Sequence, residues 1–448
     1  MKKIFALCAA ALVSAGAFAA EKWVPLFNDV DLTGWKQVTG SSTYEVKDKM
    51  IIGTGSEGTV NSFLATERSY SDFILEFEFK MEDEQNSGIC FRSRVNEQGF
   101  TMGYQYEFDP TDRAWTGGIY DERRRGWLYP MTFNAEVGKL FKRHAWNKGR
   151  IEAVGNHIYT YLNGKLASAV VDDMDREGFI ALQVHAPGKN PKRVGSKVWW
   201  RNIRICTETP EKYVTKRVKI HEVNAISNTI SESQAKDGWK LLWDGKTTEG
   251  WVSARNSRSF PEKGWKIENG ELCVLANDGR ESQNGGDIMT KKKYTDFWLS
   301  VEFKITPGAN SGIKYFINPD LYPSNASAIG CEYQILDDEL HPDAHRGVAG
   351  NRTLGSLYDL IRADKENAGF RKTQWNTAWI KVTGNHVEHW LNGVKILEYE
   401  RNNQMFNALV QYSKFKERKN FGNHKSGHIL LQDHGDEVHY KSIMIKEL

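Results

Sequence analysis

Only five cysteines occur in 448 residues, and their spacing makes neither a metal-ligand pattern nor a disulfide framework. Cys90, Cys206, Cys273 and Cys331 are expected to be buried and free; Cys8 lies in an apolar leader. Neither G-x-x-x-x-G-K-[ST] nor G-x-S-x-G is present, which argues against a phosphate-binding loop and against a nucleophile elbow. Formal net charge is only +3, so no bulk electrostatic pull toward nucleic acid or an acidic membrane is expected. Beyond the first twenty residues no long stretch has the 3.6-residue apolar period of a helix. A helical bundle is thereby excluded, and no membrane span is expected.

Aromatic residues, by contrast, are plentiful, with 15 Trp and 17 Tyr. They suit sandwich cores, and their flat faces also suit the apolar faces of sugar rings. The N-terminus reads "MKKIFALCAAALVSAGAFAA". Two lysines, an apolar run and a small-x-small site at Ala17-Phe18-Ala19 make residues 1–20 a secretory signal peptide. The expected product is secreted, and periplasmic in a cell with two membranes. The sequence does not fix an oligomeric state.

The chain repeats itself at a period of about 220 residues, too long for a solenoid. "LFNDVDLTGW" returns as "LWDGKTTEGW", "SDFILEFEFK" as "TDFWLSVEFK" and "NSGICFR" as "NSGIKYF". "WNKGRIEAVGNHIYTYLNG" returns as "WNTAWIKVTGNHVEHWLNG", and "GFIALQVH" as "GHILLQDH". The order never changes, which marks a tandem duplication of residues 22–206 as 237–448. The polar segment 207–236 repeats nothing and reads as a linker. Within each copy, short alternating runs lie between turn signals, and Asn163-Gly164 and Asn392-Gly393 mark twin hairpins. Each copy is therefore expected to be an all-β, antiparallel sandwich of jelly-roll type.

Alternation also sorts the polar side chains. In the second copy Asn310 shares a face with Lys314, Glu332 with Gln334, and Gln432 with His434. Buried polar groups are costly unless paired, so this set belongs to a hydrogen-bonded network or a wet cleft. Asp337 and Asp433 lie close by in sequence. The first copy offers Arg92, Gln105, Glu107, Gln183 and His185, with carboxylate and amide exchanged at 105 and 107. Trp35 and Trp251 are expected to close their cores. His341 and His345 stand four apart, which is ligand spacing only on a helix; solvated loop histidines are the favoured reading.

"LWDGKTTEGW", "NSGIKYF", "GCEYQILDDELHPDAH", "GNRTLGSLYDLI" and "GHILLQDHG" closely resemble the 3-keto-disaccharide hydrolase domain family, formerly a domain of unknown function. The likeness covers nearly all of 237–448. The first copy is similar but lacks the acid after "LQ" and the "HPDA" loop. The resemblance implies a fold like that of concanavalin-A-like lectins and glucanases, and activity on glycosides oxidised at C3. A C3 ketone acidifies the C2 proton, so a base could start an elimination at C1, with water adding later. His434 or Glu332 is the candidate base, with Lys314 or a divalent metal stabilising the enolate. Asp433 would orient His434 or help hold the metal. Asn310, Gln334, Asp337 and Gln432 would bind substrate, and Tyr358 is a further proton-donor candidate. A structural salt bridge from Glu332 to Lys314 competes with catalysis at that pair. Two other functions stay open: a non-catalytic lectin, or an ordinary glycoside hydrolase using Glu332 and Asp337 as its two carboxylates.

Overall fold

The computed structural model describes residues 22–277, 281, 283–319 and 328–448. Residues 1–20, expected to be a signal peptide, lie outside that set. Both copies fold as jelly-roll β-sandwiches, so the chain is all-β in two tandem units.

Alternation in "FILEFEFKM" builds the centre of the first sandwich. Phe73, Leu75, Phe77, Phe79 and Met81 are fully buried, whereas Glu76, Glu78 and Lys80 face outward. Strand Phe73–Met81 lies between strands Asn147–Val154 and Lys197–Cys206. Its outward acids meet cross-strand arginines, Glu76 with Arg204 at 2.6 Å and Glu78 with Arg201 at 2.8 Å. The facing sheet runs Gly126–Tyr129, Ile119–Glu122, Thr101–Phe108, Ser87–Val95, Phe179–Val184, Ser62–Thr66, Trp35–Thr39.

The second sandwich repeats the plan. Its outer sheet centres on Phe297–Ile305, between Val438–Glu447 and Asn376–Thr383. The facing sheet has the order Trp251–Ser253, Ile288–Thr290, His428–Leu431, Asn310–Ile317, Cys331–Leu336. Asn163-Gly164 and Asn392-Gly393 all have positive φ, the geometry that a two-residue hairpin requires. Trp35 and Trp251 close their cores as expected, their indole N–H groups donating to the carbonyls of Leu26 and Leu242. The four cysteines among the described residues are buried and free.

The segment read as a linker is built into the body. Strand Val223–Asn224 pairs parallel with Lys165–Val171, and Ser231 caps the short helix Glu232–Lys236. The His221 ring lies 4.6 Å from Phe133 of the first sandwich and 5.1 Å from Trp379 of the second. Phe133 and Trp379 stack directly at 4.9 Å, and the Thr132 hydroxyl donates to the Gly393 carbonyl. No helix among the described residues is long and apolar enough to cross a membrane.

Candidate functional site

Strands Asn310–Ile317 and Cys331–Leu336 pair so that Lys314 faces Glu332 and Gly312 faces Gln334. Their polar side chains leave the core and line a cavity of ≈ 170 Å³. Gln432 and His434 enter it from the end of strand His428–Leu431, and Tyr358 from the loop after strand Cys331–Leu336. Glu332 and His434 therefore share one hollow on one side of the sheet.

Glu332 is 6% exposed, and its side-chain carboxylate accepts no hydrogen bond from any described residue. Burial raises its pKa above the ordinary range; Lys314 and Lys414 offset this only in part. Gly312 makes room for it, since a Cβ there would sit 2.1 Å from Glu332 Oε1. Lys314 is 4% exposed, its ammonium 3.5 Å from Asp287 and 3.8 Å from Glu281. Burial acts to lower the Lys314 pKa, but Asp287, Glu332 and Glu281 outweigh it and hold the ammonium charged. The direct Glu332–Lys314 salt bridge expected as a rival is replaced by Asp287 and Glu281 as the close partners.

The amides complete the lining. Gln334 Nε2 donates to Asn310 Oδ1 at 2.8 Å, which ties two strands together. Gln432 Nε2 donates to Glu281 at 2.9 Å, while its buried Oε1 has no hydrogen-bond partner among the described residues. His434 Nδ1 is likewise buried without a hydrogen bond, 3.8 Å from the Asp436 carboxylate. Burial acts to lower the His434 pKa; Asp436, Glu281 and Glu332 reverse this and raise it. An unpaired buried oxygen and an unpaired buried nitrogen beside a free carboxylate are polar groups that a ligand would satisfy.

Three expected residues act elsewhere. Asp433 is fully buried and points away from His434, its carboxylate accepting the amides of Gly285, Gly286 and Gly435. It anchors a loop and does not orient the imidazole. Asp337 accepts the amides of Gly308, Glu339 and Leu340 and does not line the cavity, so the Glu332–Asp337 pair of an ordinary glycosidase is not assembled there. Tyr358 does line it, but its hydroxyl donates to Asp343 at 2.7 Å, and burial with Asp343 and Glu332 raises its pKa. Its proton is thereby engaged by Asp343. His345 is exposed on the 3-10 helix Pro342–His345, and His341 turns instead to His434, ring centroids 5.7 Å apart.

Glu281, Asp287, Lys414 and Asp436 are site residues that sequence reasoning missed. Lys414 lines the cavity with its ammonium 4.2 Å above the Tyr358 ring. Glu281, Asp287 and Lys414 stand on segments without a polar alternation to flag them. Asp436 follows His434 by two residues and was within reach of the same face count.

In the first sandwich Cys90 faces Gln105 and Gly88 faces Glu107. Cys90 thus takes the place of Lys314, Gln105 of Glu332, and Glu107 of Gln334. Asn86 and Gln105 both donate to Glu107, at 2.8 and 2.9 Å, and burial raises its pKa to about 7. His185 bonds the Ala186 carbonyl through Nδ1 at 2.7 Å, and Gln183 is buried beside it in sequence. Arg92 is not the counterpart of Lys314. It corresponds to Phe316; both have positive φ at a register shift. Its buried guanidinium donates to the carbonyls of Ser71 and Gly155 and to Asp72. In the second sandwich Arg401 reaches the equivalent Gly384 carbonyl from over the Phe316 ring.

Comparison with known proteins places these motifs. A curated relative, the 3-keto-disaccharide hydrolase of Bacteroides thetaiotaomicron, is 36% identical over 257 residues, covering 52% of this chain and 85% of the relative. A solved structure of a proposed glycosyl hydrolase from Parabacteroides distasonis is 27% identical, with a TM-score of 0.42, and covers 50% of this chain and 99% of its own. A second from the same organism is 24% identical with a TM-score of 0.34, covering 47% and 99%. The model of the 3-keto-alpha-glucoside-1,2-lyase-like domain matches residues 22–206 and 238–446, and the chain belongs to that family.

Proposed function

We propose that this chain is an exported enzyme that cleaves the glycosidic bond of 3-keto-glycosides in the cavity of its second sandwich. Family membership and the named relative support a hydrolase acting on carbohydrate. The observation that carries the finer reading is Glu332: a buried carboxylate with no hydrogen-bond donor among the described residues, in one cavity with the charged Lys314.

A ketone at C3 lets the C2–H bond break as an acid. Glu332 takes that proton, and the electron pair delocalises onto the C3 oxygen as an enolate. Its raised pKa makes it a stronger base than an exposed carboxylate, at the cost of less ionised form at low pH. Lys314 and the His434 imidazolium supply the electrostatic stabilisation of that oxyanion. The enolate then expels the C1 oxygen, which leaves with a proton from cavity water. Water adds across the resulting double bond, hydroxyl to C1 and hydrogen to C2, to give the free 3-keto-sugar. Gln334, Asn310 and Gln432 are placed to hold ring hydroxyls, the last through its unpaired oxygen.

The first sandwich has neither the base nor the cation, with Gln105 and Cys90 in their places. It is assigned no turnover.

Incubation with a 3-keto-glucoside and its unoxidised parent in deuterated water tests the reading. Cleavage of the keto-glycoside alone, with deuterium at C2, is expected, and Glu332→Gln should remove it. Cleavage of the unoxidised parent, or product without label at C2, refutes the elimination. Sugar binding without any turnover returns the protein to the lectin class.

A further inference from the structure

We infer that His341, His434 and Asp436 form a binding site for one divalent first-row transition ion of the zinc type, opening into the cavity. One ligand atom from each of these residues lies within 4.8 Å of the others. They come from two separate places in the chain. His341 precedes the 3-10 helix Pro342–His345, and His434 and Asp436 follow strand His428–Leu431.

Two imidazoles and a carboxylate are a donor set for borderline ions, and three protein ligands leave open positions for water or substrate. His434 lines the cavity, so the open positions face the reacting sugar. Asp436 Oδ2 is already oriented by the Asn310 amide at 3.0 Å, the outer support that metal-ligating carboxylates need.

The independent observation is the His434 nitrogen. Nδ1 is buried and has no hydrogen-bond partner among the described residues. The two other ligand clusters among the described residues lack this feature. His439 is held by Glu271 and Glu437 at 2.8 and 2.9 Å, and His386 by Glu400 at 2.7 Å. Those histidines are held by carboxylates at hydrogen-bond distance, whereas the Asp436 carboxylate stands 3.8 Å from His434 Nδ1, beyond it. Loading has a cost. His341 gives up the 3.2 Å bond that its Nδ1 accepts from the Asp343 amide, whichever ring nitrogen takes the ion. A metal–nitrogen bond exceeds so long a hydrogen bond.

The role of the ion rests on the proposed function. A divalent cation here would add positive charge beside the place where the C3 enolate oxygen forms.

The full chain is stripped with chelator and titrated with Zn²⁺ by calorimetry, and with Co²⁺ followed by its visible absorption. One ion per chain is expected. His341→Ala and Asp436→Asn should each weaken binding by about 100-fold, the upper end of what loss of an outer partner costs. His386→Ala should leave binding unchanged. No stoichiometric ion on the unaltered chain, or equal binding by the His341 and Asp436 variants with unchanged melting temperature, overturns the site. Turnover of a 3-keto-glucoside by the stripped and reloaded protein separates the two proposals. Full activity without metal overturns the catalytic role of the ion and leaves the elimination intact. Binding as expected with no turnover at all upholds the site and refutes the elimination.

Discussion

Gly312 and Glu332 share one space: the Glu332 carboxylate oxygen lies 2.1 Å from where a Gly312 Cβ would be. The first sandwich repeats the relationship, with Gln105 side-chain atoms 2.7 Å from the Cβ position of Gly88. Glycine in a strand interior gives up packing and backbone entropy. Here it frees the room in which the strand opposite places its functional side chain.

Gly312→Ala should therefore displace the carboxylate while leaving the sheet intact, because alanine suits a strand at least as well as glycine. We expect kcat on a 3-keto-glucoside to fall by about 100-fold, the cost of misplacing a reacting group by roughly 1 Å. Unchanged kcat with a normal melting temperature would show that the carboxylate does not need this position.

Lys314 stands among three acids at the bottom of the cavity, with Asp287 and Glu281 within 4.0 Å and Glu332 paired opposite on the next strand. Lys314→Met removes the ammonium from beside the buried carboxyl groups of Asp287 and Glu332. Breaking a buried pair from one side costs about 3–5 kcal/mol. Urea denaturation should register that loss, together with loss of turnover. A variant as stable as the parent would place those charges in solvent and contradict the burial.

The pH dependence of turnover follows from Glu332. A base must be ionised, and burial raises this group above the ordinary glutamate value of 4.5. The acid limb of kcat/KM should thus lie above pH 4.5 and rise with pH through the Glu332 titration. An acid limb at or below that value would exclude this carboxylate as the base.

Stability carries the opposite dependence through Glu107 of the first sandwich. Its folded pKa of about 7 exceeds the ordinary 4.5, so the folded state holds the proton more tightly. The stabilisation is full below pH 4.5 and is lost as pH rises to about 7, by an amount on the order of 3 kcal/mol. Glu122, also raised to about 7, acts in the same direction. Denaturation curves of the parent and Glu107→Gln between pH 4 and 8 should differ in slope. Parallel pH profiles would mean that Glu107 titrates alike in both states.

Much of the fold was legible because it is periodic. Apolar residues two apart must share a face, and "FILEFEFKM" has one buried face as written. The duplication doubled every signal. The cavity was legible in part for the same reason, since Lys314, Glu332, Gln334, Gln432 and His434 fall in step on neighbouring strands. That rule also sends Asp433 to the side opposite Gln432 and His434, where it anchors a loop instead of the imidazole. Arg92 was misplaced because a positive φ and a register shift break the count of two, and a bulged strand re-aims its side chains.

From sequence alone came two sandwiches, their tandem order, and one polar face in the second. Tertiary structure alone decided which loops meet that face: Glu281 and Asp287 around the ammonium, Lys414 over Tyr358, His341 against His434. The difference is physical. Side-chain direction along a strand is fixed by backbone geometry within a few residues, whereas the meeting of segments roughly thirty to ninety residues apart is fixed only when two sheets close on a common core.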